Sequence, residues 1–517
     1  MKKYFTPLNI ILVLEAISAF LTALGLIPRE AILVWTGVAI FYMIFSPVED
    51  SLWLAVASIP LFAALPISEN FDSMATWRIL VAVLFSVWFF KRNIFTQIKQ
   101  FNFGKILTKE YFKQNAISYL TVLFLFIGAL SVIAAGYKLL AIKKLLFLIN
   151  IFLLFLVVRD LGKTRESIVR IWQAAATGGA IVLAVALAQF TAVLLVPLFS
   201  FWQFWAEKVI VAFYGQNLAH LLSRSNTWFA YYASNPPALR LFSVFPDSHS
   251  FAMFCMMLVP ILLGLVLYFE KQKKQRILFW SLAVLALGGI VLSGSRGTWL
   301  SIVPVILCAI YLYGKRIEPL LVKKVLSVFA VFIVLFVVSA GYPPLLYKFQ
   351  SWQTGENAST TFSFFERARS ISDAEEISNK GRMEIWLASL KSISQRPIIG
   401  VGLGNYVKVL GQDASAAKQG ASAHNLYLDF ASEIGIIGVL ILVAIFVNIL
   451  YTSWAVFRRS DANYAKLYGL VFGLYFLWIS AYSFFDVVLL NDKVLLFLMV
   501  TLAALYSLKT LMKVNNS

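Results

Sequence analysis

The sequence predicts an all-α, polytopic integral membrane protein, and three observations lead to this prediction. Hydrophobic residues make up 60% of the 517 positions and charged residues only 13%, and the mean hydropathy is +0.81. The apolar residues fall into repeated runs long enough to cross a bilayer, which takes about 20 residues in an untilted helix. Many of the basic residues behind the formal net charge of +19 lie in short connectors between these runs. A soluble globular fold is therefore excluded.

The number of spans follows from the apolar runs, of which fourteen are candidates. The second and third are short, and Pro47, Glu49 and Asp50 between them fit either a tight turn or a re-entrant hairpin, so the prediction is about 12–14 transmembrane helices. The runs are residues 8–26, 31–45, 52–65, 77–90, 116–135, 145–158, 177–199, 251–269, 277–292, 299–313, 325–340, 425–451, 467–484 and 494–506.

Orientation follows from the basic connectors. If the amino end is inside and successive spans alternate, all of these connectors lie on the cytoplasmic side, as the positive-inside rule expects. The external turn with Lys138, Lys143 and Lys144 is an exception. Nucleic acid is not expected as a partner, because no base-reading pattern accompanies the charge. The connectors are residues 91–105, 159–170, 270–276, 314–324 and 457–466.

The predicted organisation has three parts. Residues 1–341 hold the first eleven spans, and within them an external connector at residues 200–250 mixes aromatic and charged residues, which suits a helix in the headgroup zone. Residues 342–423 form a large external loop that we expect to be catalytic. Residues 424–517 hold the last three spans.

The end of the large loop carries two local predictions. An amphipathic helix is expected from near Asn379 to Pro397, with Arg382 at its amino end. The segment GVGLGNY that follows predicts a tight turn at its three glycines, but it does not have the spacing of a phosphate-binding fingerprint. The apolar positions of the helix are Met383, Trp386, Leu387, Leu390 and Ile393.

Ionisable residues at the membrane edge are costly, which makes them candidates for function. Arg296 lies in the short connector of VLSGSRGTWLS, and both it and Arg382 could bind a phosphate in a forked geometry or be ordinary solvated or snorkelling side chains. His424 opens the twelfth span. There an imidazole could act as a general base, because it exchanges protons near neutral pH, or it could belong to an aromatic belt.

Two carboxylates follow His424 in the outer half of the same span. Asp429 and Glu433 are four residues apart and so face one way. They could orient the imidazole or hold a cation; alternatively, the helix starts late and both are solvated.

A last cluster lies at the mouth of the eighth span. Arg240 precedes the segment PDSHS, which contains Asp247 and His249. Asp247 or Ser248 is expected to cap the helix that follows. We treat Arg240, Asp247 and His249 as possible supporting residues of a site.

Absent motifs narrow the chemistry. The chain has no DxD motif, which disfavours metal-dependent glycosyl transfer, and no HExxH, CxxC, GxSxG or Walker A motif. Cys255 and Cys308 lie within apolar runs, which predicts neither a disulfide framework nor a thiolate metal site. We therefore predict no metal and no cofactor.

Three motifs in this order resemble the O-antigen ligase and O-antigen polymerase superfamily. They are SGSRGTWLS, GRMEIWLASLKSISQRPIIGVGLGNY and SAHNLYLDFASEIGIIGVL, and they cover residues 292–439. The resemblance implies a multi-span glycosyltransferase of the C class in the bacterial cytoplasmic membrane, with its active site on the periplasmic side. It departs from the family's usual pattern at PDSHS, where members commonly show Pro-Asn.

The resemblance also implies substrates and residue roles. The donor would be a glycan on a polyprenyl (undecaprenyl) pyrophosphate carrier, and the acceptor would be a hydroxyl of a glycolipid, glycan or protein. Arg296 and Arg382 match the arginines that bind the pyrophosphate, and His424 matches the histidine that activates the acceptor. A ligase is favoured, and an O-antigen or exopolysaccharide polymerase and a protein O-oligosaccharyltransferase are the alternatives within the superfamily.

Two alternatives come from other classes of protein. A transporter or lipid flippase would place charge at mid-bilayer and would often have broken helices, whereas the ionisable residues here are concentrated at the external edge. A non-catalytic scaffold in polysaccharide assembly is the third hypothesis, because a long loop can also bind partner proteins.

Overall fold

The computed structural model confirms an all-α, polytopic membrane protein. It describes residues 6–67, 74–100, 108–216, 228–232, 235–339, 377–413 and 421–514, with a few isolated positions between these ranges. Much of the predicted 342–423 loop therefore lies outside the described residues. In chain order the helices are α1 (Pro7–Ala23), α2 (Ala31–Phe45), α3 (Val48–Ala57), α4 (Thr76–Lys91), α5 (Ile94–Gln100), α6 (Lys109–Ser131), α7 (Lys138–Leu161), α8 (Arg165–Leu195), α9 (Leu198–Phe204), α10 (Ile210–Tyr214), α11 (Ser248–Tyr268), α12 (Lys273–Leu292), α13 (Arg296–Ser301), α14 (Val303–Gly314), α15 (Pro319–Ser339), α16 (Ile377–Gln395), α17 (Leu426–Arg459), α18 (Asn463–Tyr482) and α19 (Asp492–Val514).

All fourteen predicted apolar runs carry helix, although not all of the helices are of membrane-spanning length. Within the described ranges, ten helices are long and apolar enough to cross a membrane, counting α13 and α14 as one. The pair α4 and α5, bent by 60°, adds an eleventh, and α1 and α2 are shorter apolar helices. The remaining run, the third, begins with the ten-residue helix α3.

This third run is interrupted. A ten-residue helix is only about 15 Å long, half the thickness of the hydrocarbon core. After α3 the chain continues through a single 3-10 turn at Ile59–Leu61 and then runs extended to Ala64, whose backbone N donates to Phe213 O at 2.7 Å. Residues 51–65 are buried with one exception, so this irregular backbone is enclosed by protein, as it must be at membrane depth.

The core of the bundle is α11. In this helix 94% of the membrane-spanning window is buried, a larger share than in any other candidate span of the described residues. It packs against α8, α12, α18 and α19. Because α11 is surrounded by other spans, the residues at its first turn lie at the centre of one end of the bundle.

Ion pairs join connectors at the opposite end, which we call the inner end. Arg170 pairs with Asp50, and Lys466 Nζ lies 2.6 Å from Glu318 Oε1. Lys466 and Glu318 come from two of the basic connectors predicted to be cytoplasmic, and Arg170 of a third pairs with Asp50 in the turn between the second and third runs, which the alternation of spans places on the same side.

The connector at residues 200–250 is only partly the predicted surface helix. Helices α9 and α10 are joined through a π-helical segment at Trp205–Val209, so this part of the connector is helical. The strands β1 (Phe229–Tyr232) and β2 (Asn235–Leu239) then form an antiparallel hairpin that was not predicted. Two prolines in NPPAL, the sequence of β2, are unusual in a strand but are tolerated at a sheet edge.

The predicted amphipathic helix is α16, but its apolar face is not buried by the described protein. Met383, Leu387 and Leu390 are 55%, 65% and 54% exposed, whereas Trp386 and Ile393 are partly buried. The helix ends at Gln395, two residues before Pro397, because a proline ring prevents the helical conformation in the residue that precedes it.

Candidate active site

The central helix α11 begins at the outer end with Asp247 as its N-cap. Ser250 donates to both oxygens of this carboxylate, from its backbone N to Oδ1 at 2.7 Å and from its Oγ to Oδ2 at 2.7 Å. Burial raises the pKa of Asp247 above its ordinary value. Both oxygens are engaged in starting the helix, which confirms the capping prediction.

His249, on the first turn of α11, is the hub of a polar network. Its Nε2 lies 3.2 Å from Arg240 Nη2, and its Nδ1 lies 3.1 Å from Ser295 Oγ and in short contact with Tyr482 Oη. Because a guanidinium only donates, Nε2 accepts, which places the ring proton on Nδ1 and leaves the imidazole neutral. Arg240 also donates from Nε to Ser293 O at 2.8 Å. The structure therefore brings the predicted pair Arg240 and His249 into contact.

Arg296 is the first residue of α13 and is half-buried beside the same network. On one side of it, Ser295 contacts His249 and also donates to Tyr482 Oη at 3.3 Å. On the other side, Gly297 is packed so tightly that a Cβ atom there would lie 2.9 Å from the Tyr482 ring. Both chain neighbours of Arg296 thus touch Tyr482, which places Arg296 at the rim of the His249 network.

Asp486, just beyond the end of α18, links this network to the loop residues. Its Oδ2 lies 3.4 Å from Tyr482 Oη and 3.6 Å from His249 Nδ1, and its side chain is 12% exposed. Burial raises the pKa of Asp486, and the nearby His424 and Arg382 partly oppose that rise. The two loop residues are therefore close enough to act electrostatically on the same carboxylate that contacts His249.

His424 occupies a strained corner before α17. Its φ is 46°, in the left-handed region, which costs a non-glycine residue about 1 kcal/mol or more. The preceding residue, Ala423, donates its N–H to Asp429 Oδ1 at 3.0 Å and accepts from Trp386 Nε1 at 3.0 Å. The following backbone is held as well, since Leu426 N donates to Ser483 O at 2.8 Å.

Asp429 and Glu433 are buried and paired with a lysine of the same chain, so the alternative that both are solvated is wrong. Asp429 is 3% exposed and Glu433 is 1% exposed. Lys144 Nζ lies 2.6 Å from Glu433 Oε2 and 3.6 Å from Asp429 Oδ2. Lys144 was an exception to the charge rule for connectors, and this ion pair gives the physical reason for its position.

The predicted glycine turn is confirmed, and it docks into a break in α17. Gly400, Gly402 and Gly404 all have positive φ, at 70°, 99° and 71°. The helix is interrupted at Gly435, where φ is 77° and ψ is 178°. Near the break, Glu433 O accepts from Gly402 N at 2.9 Å in place of a regular helical donor. The turn and the Glu433 side chain are thus fixed to one point of α17.

The structure brings the predicted residues to one end of the bundle. Arg382 lies one helical turn before Trp386, and the Trp386 side chain donates to the carbonyl of Ala423, the residue before His424. Arg382 and His424 both lower the pKa of Asp486. His249 contacts Asp486 and Arg240, and Arg296 follows Ser295 of the same network, whereas Asp429 contacts the backbone of the residue before His424.

Sequence reasoning missed four residues of this region: Ser295, Tyr482, Asp486 and Lys144. Two of them had a signal. Asp486 is an ionisable residue at the external end of an apolar run, the same criterion that selected Arg296. Lys144 violated the positive-inside rule, and a basic residue on the wrong side is a reason to look for a buried carboxylate partner.

Comparison with known proteins gives one family match. Residues 281–443 match the O-antigen ligase family model, which covers 163 of the 517 residues and includes Arg296, Arg382 and His424. Comparison of the chain with curated proteins gives no match. The chain is therefore similar to O-antigen ligases over residues 281–443, which confirms the resemblance to the O-antigen ligase superfamily that its three motifs indicate.

Proposed function

We propose that this protein is an inverting, metal-independent glycosyltransferase. It transfers a glycan from a polyprenyl pyrophosphate carrier, such as undecaprenyl pyrophosphate, onto an acceptor hydroxyl. The reaction takes place at the external face of a bacterial cytoplasmic membrane, with the loop of residues 342–423 and the ends of the spans forming the site. The family match at residues 281–443 supports ligase chemistry in general.

The observation that carries the proposal is the convergence on Asp486. Arg382 and His424, from the loop, act on this carboxylate, and Tyr482 and His249, from the central spans, contact it. Arg296 stands next to Ser295, which belongs to the same network. Guanidinium and imidazole groups from distant parts of the chain are thus collected at one end of the membrane bundle, as a reaction between two large substrates requires.

The chemistry needs few groups. The acceptor oxygen attacks the anomeric carbon, the bond from that carbon to the phosphate oxygen breaks, and the lipid pyrophosphate leaves with the electron pair. His424 takes the acceptor proton. The resulting imidazolium would lie near the Asp486 carboxylate, which stabilises its charge. Attack opposite the leaving group inverts the anomeric configuration.

Arg296 and Arg382 are assigned to the pyrophosphate. Negative charge accumulates on the leaving group as the bond breaks, and charge-assisted hydrogen bonds from guanidinium groups neutralise it. This is the work that a divalent metal does in transferases with a DxD motif. Polar or charged contacts of this kind contribute about 1.5–3 kcal/mol each.

The experiment is glycan transfer by purified protein in proteoliposomes, with the polyprenyl pyrophosphate glycan as donor, candidate acceptors and EDTA present. We expect a product whose mass is that of acceptor plus glycan. The kind of acceptor that reacts then distinguishes a ligase from a polymerase and from a protein glycosyltransferase. Uptake of donor lipid into the liposomes without a new glycosidic product would instead support a transporter. Product formation only after metal is restored would contradict metal-independent chemistry.

The arginine assignment predicts a loss of donor use. Arg296→Gln and Arg382→Gln should each lower kcat/KM for the donor by about 10- to 100-fold, since each removes a charge-assisted contact to the leaving group. Arg459→Gln is the matched control, because Arg459 is exposed at the opposite end of α17. Unchanged kinetics in both outer-end variants would contradict the assignment.

A further inference from the structure

The peptide groups around Ala423 are held from two directions. The Ala423 N–H donates to Asp429 Oδ1 at 3.0 Å, and its carbonyl accepts from Trp386 Nε1 at 3.0 Å. Ala423 itself is fully buried. Both of its backbone hydrogen-bonding groups are therefore satisfied by side chains rather than by secondary structure, an arrangement that fixes the backbone in place.

The two side chains come from different elements. Asp429 lies in the first turns of α17, and Trp386 lies in α16, one turn after Arg382. Residues four apart on a helix share a face, so Trp386 and Arg382 point to the same side of α16. The Ala423 contacts thus join the helix that carries Arg382 to the corner that carries His424.

The corner needs such support, because His424 has a φ of 46°. A non-glycine residue keeps a left-handed conformation only where the surrounding structure holds it there. The residue before it is held by Asp429 and Trp386, and the backbone after it is held where Leu426 N donates to Ser483 O at 2.8 Å.

Asp429 is in turn fixed by Lys144. The Lys144 ammonium lies 3.6 Å from Asp429 Oδ2 and 2.6 Å from Glu433 Oε2, while Asp429 Oδ1 remains directed at the Ala423 N–H. Glu433 is anchored through its carbonyl, which accepts from Gly402 N at 2.9 Å. One cation from α7 therefore sets the position of the carboxylate that holds the corner.

We infer that Asp429 and Trp386 are positioning residues that hold the His424 imidazole in register with the Arg382 guanidinium, and that Lys144 orients Asp429 for this purpose. This inference rests on the proposed function, since it assigns no new reaction. By this inference Asp429, Trp386 and Lys144 support the His424 backbone without touching substrate, whereas His424 and Arg382 contact it.

The test uses variants that remove single hydrogen bonds. Trp386→Phe removes the indole N–H together with part of the ring, a loss of volume that a second Trp→Phe variant controls for. Asp429→Ala removes the acceptor, whereas Asp429→Asn keeps an oxygen for the Ala423 N–H. We expect kcat to fall about 100-fold in Asp429→Ala and about tenfold in Trp386→Phe, because small displacements of a catalytic group have effects of this size. KM for the donor should stay within about twofold, and Asp429→Asn should recover most of kcat.

A double-variant cycle shows whether these residues act through His424. In a His424→Asn background, which tolerates positive φ but has no base, adding Asp429→Ala should lower the residual rate no further. Trp205→Phe is the matched control for Trp386→Phe, because the Trp205 indole N–H has no hydrogen-bond partner among the described residues. Thermal unfolding of every variant is measured alongside.

The outcomes are distinct. Wild-type kcat in both Asp429→Ala and Trp386→Phe, or an equal further loss in the His424→Asn background, would overturn the inference and leave the proposed function standing. A general loss of folded protein that Asp429→Asn does not restore would also overturn it, since it would show a structural role. Absence of transfer by the wild-type protein would instead be a failure of the proposed function.

Discussion

At the residue scale, the Asp486 carboxylate combines two effects of opposite sign. Burial raises its pKa, so the charged form is less favourable in the folded protein than in the unfolded chain. His424 and Arg382 reduce this penalty without removing it, because burial is the largest cause of the shift. The Asp486 carboxylate lowers the stability of the fold and contacts the polar network of the site. Such a combination is expected of a residue that is kept for activity rather than for stability.

We expect opposite effects of Asp486→Asn on stability and on rate. The variant should unfold at a higher temperature than wild type at neutral pH, because it removes a buried charge but keeps the shape. Its kcat should fall about tenfold or more, because the imidazolium of His424 loses the nearby anion. Thermal unfolding and glycan transfer measured on the same preparation check both parts.

The pH dependence of that stability difference has a definite sign. A raised native pKa means that the folded state binds the proton more tightly, so the cost of Asp486 is fully present above the native pKa. It shrinks as the pH falls from the native pKa toward the ordinary value of 3.8. A difference between wild type and Asp486→Asn that grows on acidification would contradict this account.

One physical criterion, applied to the sequence alone, selected residues that the structure brings to one end of the bundle. Arg296 and His424 were selected because charge at a membrane edge is costly, and both lie at the outer end near Asp486 or its network. The pairing of Asp429 with Lys144 could not be read from the chain, since the two are far apart in sequence and their contact depends on how α7 packs against α17.

At the element scale, the break in α17 organises the end of the large loop. Gly435 has a φ of 77°, and a Cβ atom there would lie 2.1 Å from Ile398 O. Just past the break, Ile436 N donates to Pro397 O at 2.7 Å. The loop is thereby attached to the helix just below the His424 corner.

Gly435→Ala should therefore be strongly destabilising. It adds a steric clash with backbone to an unfavourable left-handed conformation, and together these should cost at least about 2 kcal/mol of unfolding free energy. Gly288→Ala is the matched control, since this glycine lies in α12 with open space at its Cβ position and should be neutral or slightly stabilising. Equal unfolding temperatures for the two variants would contradict the role of the break.

Apolar runs predicted where helices form but not where they are interrupted. The run at residues 425–451 was expected to be one continuous span, and nothing in its hydrophobicity distinguishes Gly435 from a packing glycine such as Gly438. The second half of the third run forms a 3-10 turn and then extended backbone, and such irregular backbone is possible at membrane depth only when neighbouring spans enclose it. Both interruptions depend on tertiary contacts.

At the scale of the whole molecule, the alternation of spans explains the two chemically different ends. Basic connectors and their carboxylate partners meet at the inner end, as in the pair of Lys466 and Glu318. The outer end collects His249, His424, Arg240, Arg296 and Asp486 around the start of the buried central helix α11. The sequence predicted this separation well, because the distribution of Lys and Arg carries it directly.

The central claim is that His424 acts as the base of a glycan transfer at this outer end. The most direct measurement is the single-turnover rate of transfer from the polyprenyl pyrophosphate donor by purified wild type and His424→Asn, a variant that keeps a residue tolerant of the φ of 46°. The account predicts a loss of about 100-fold or more with donor binding intact, as removal of a general base produces. A wild-type rate in His424→Asn would contradict it.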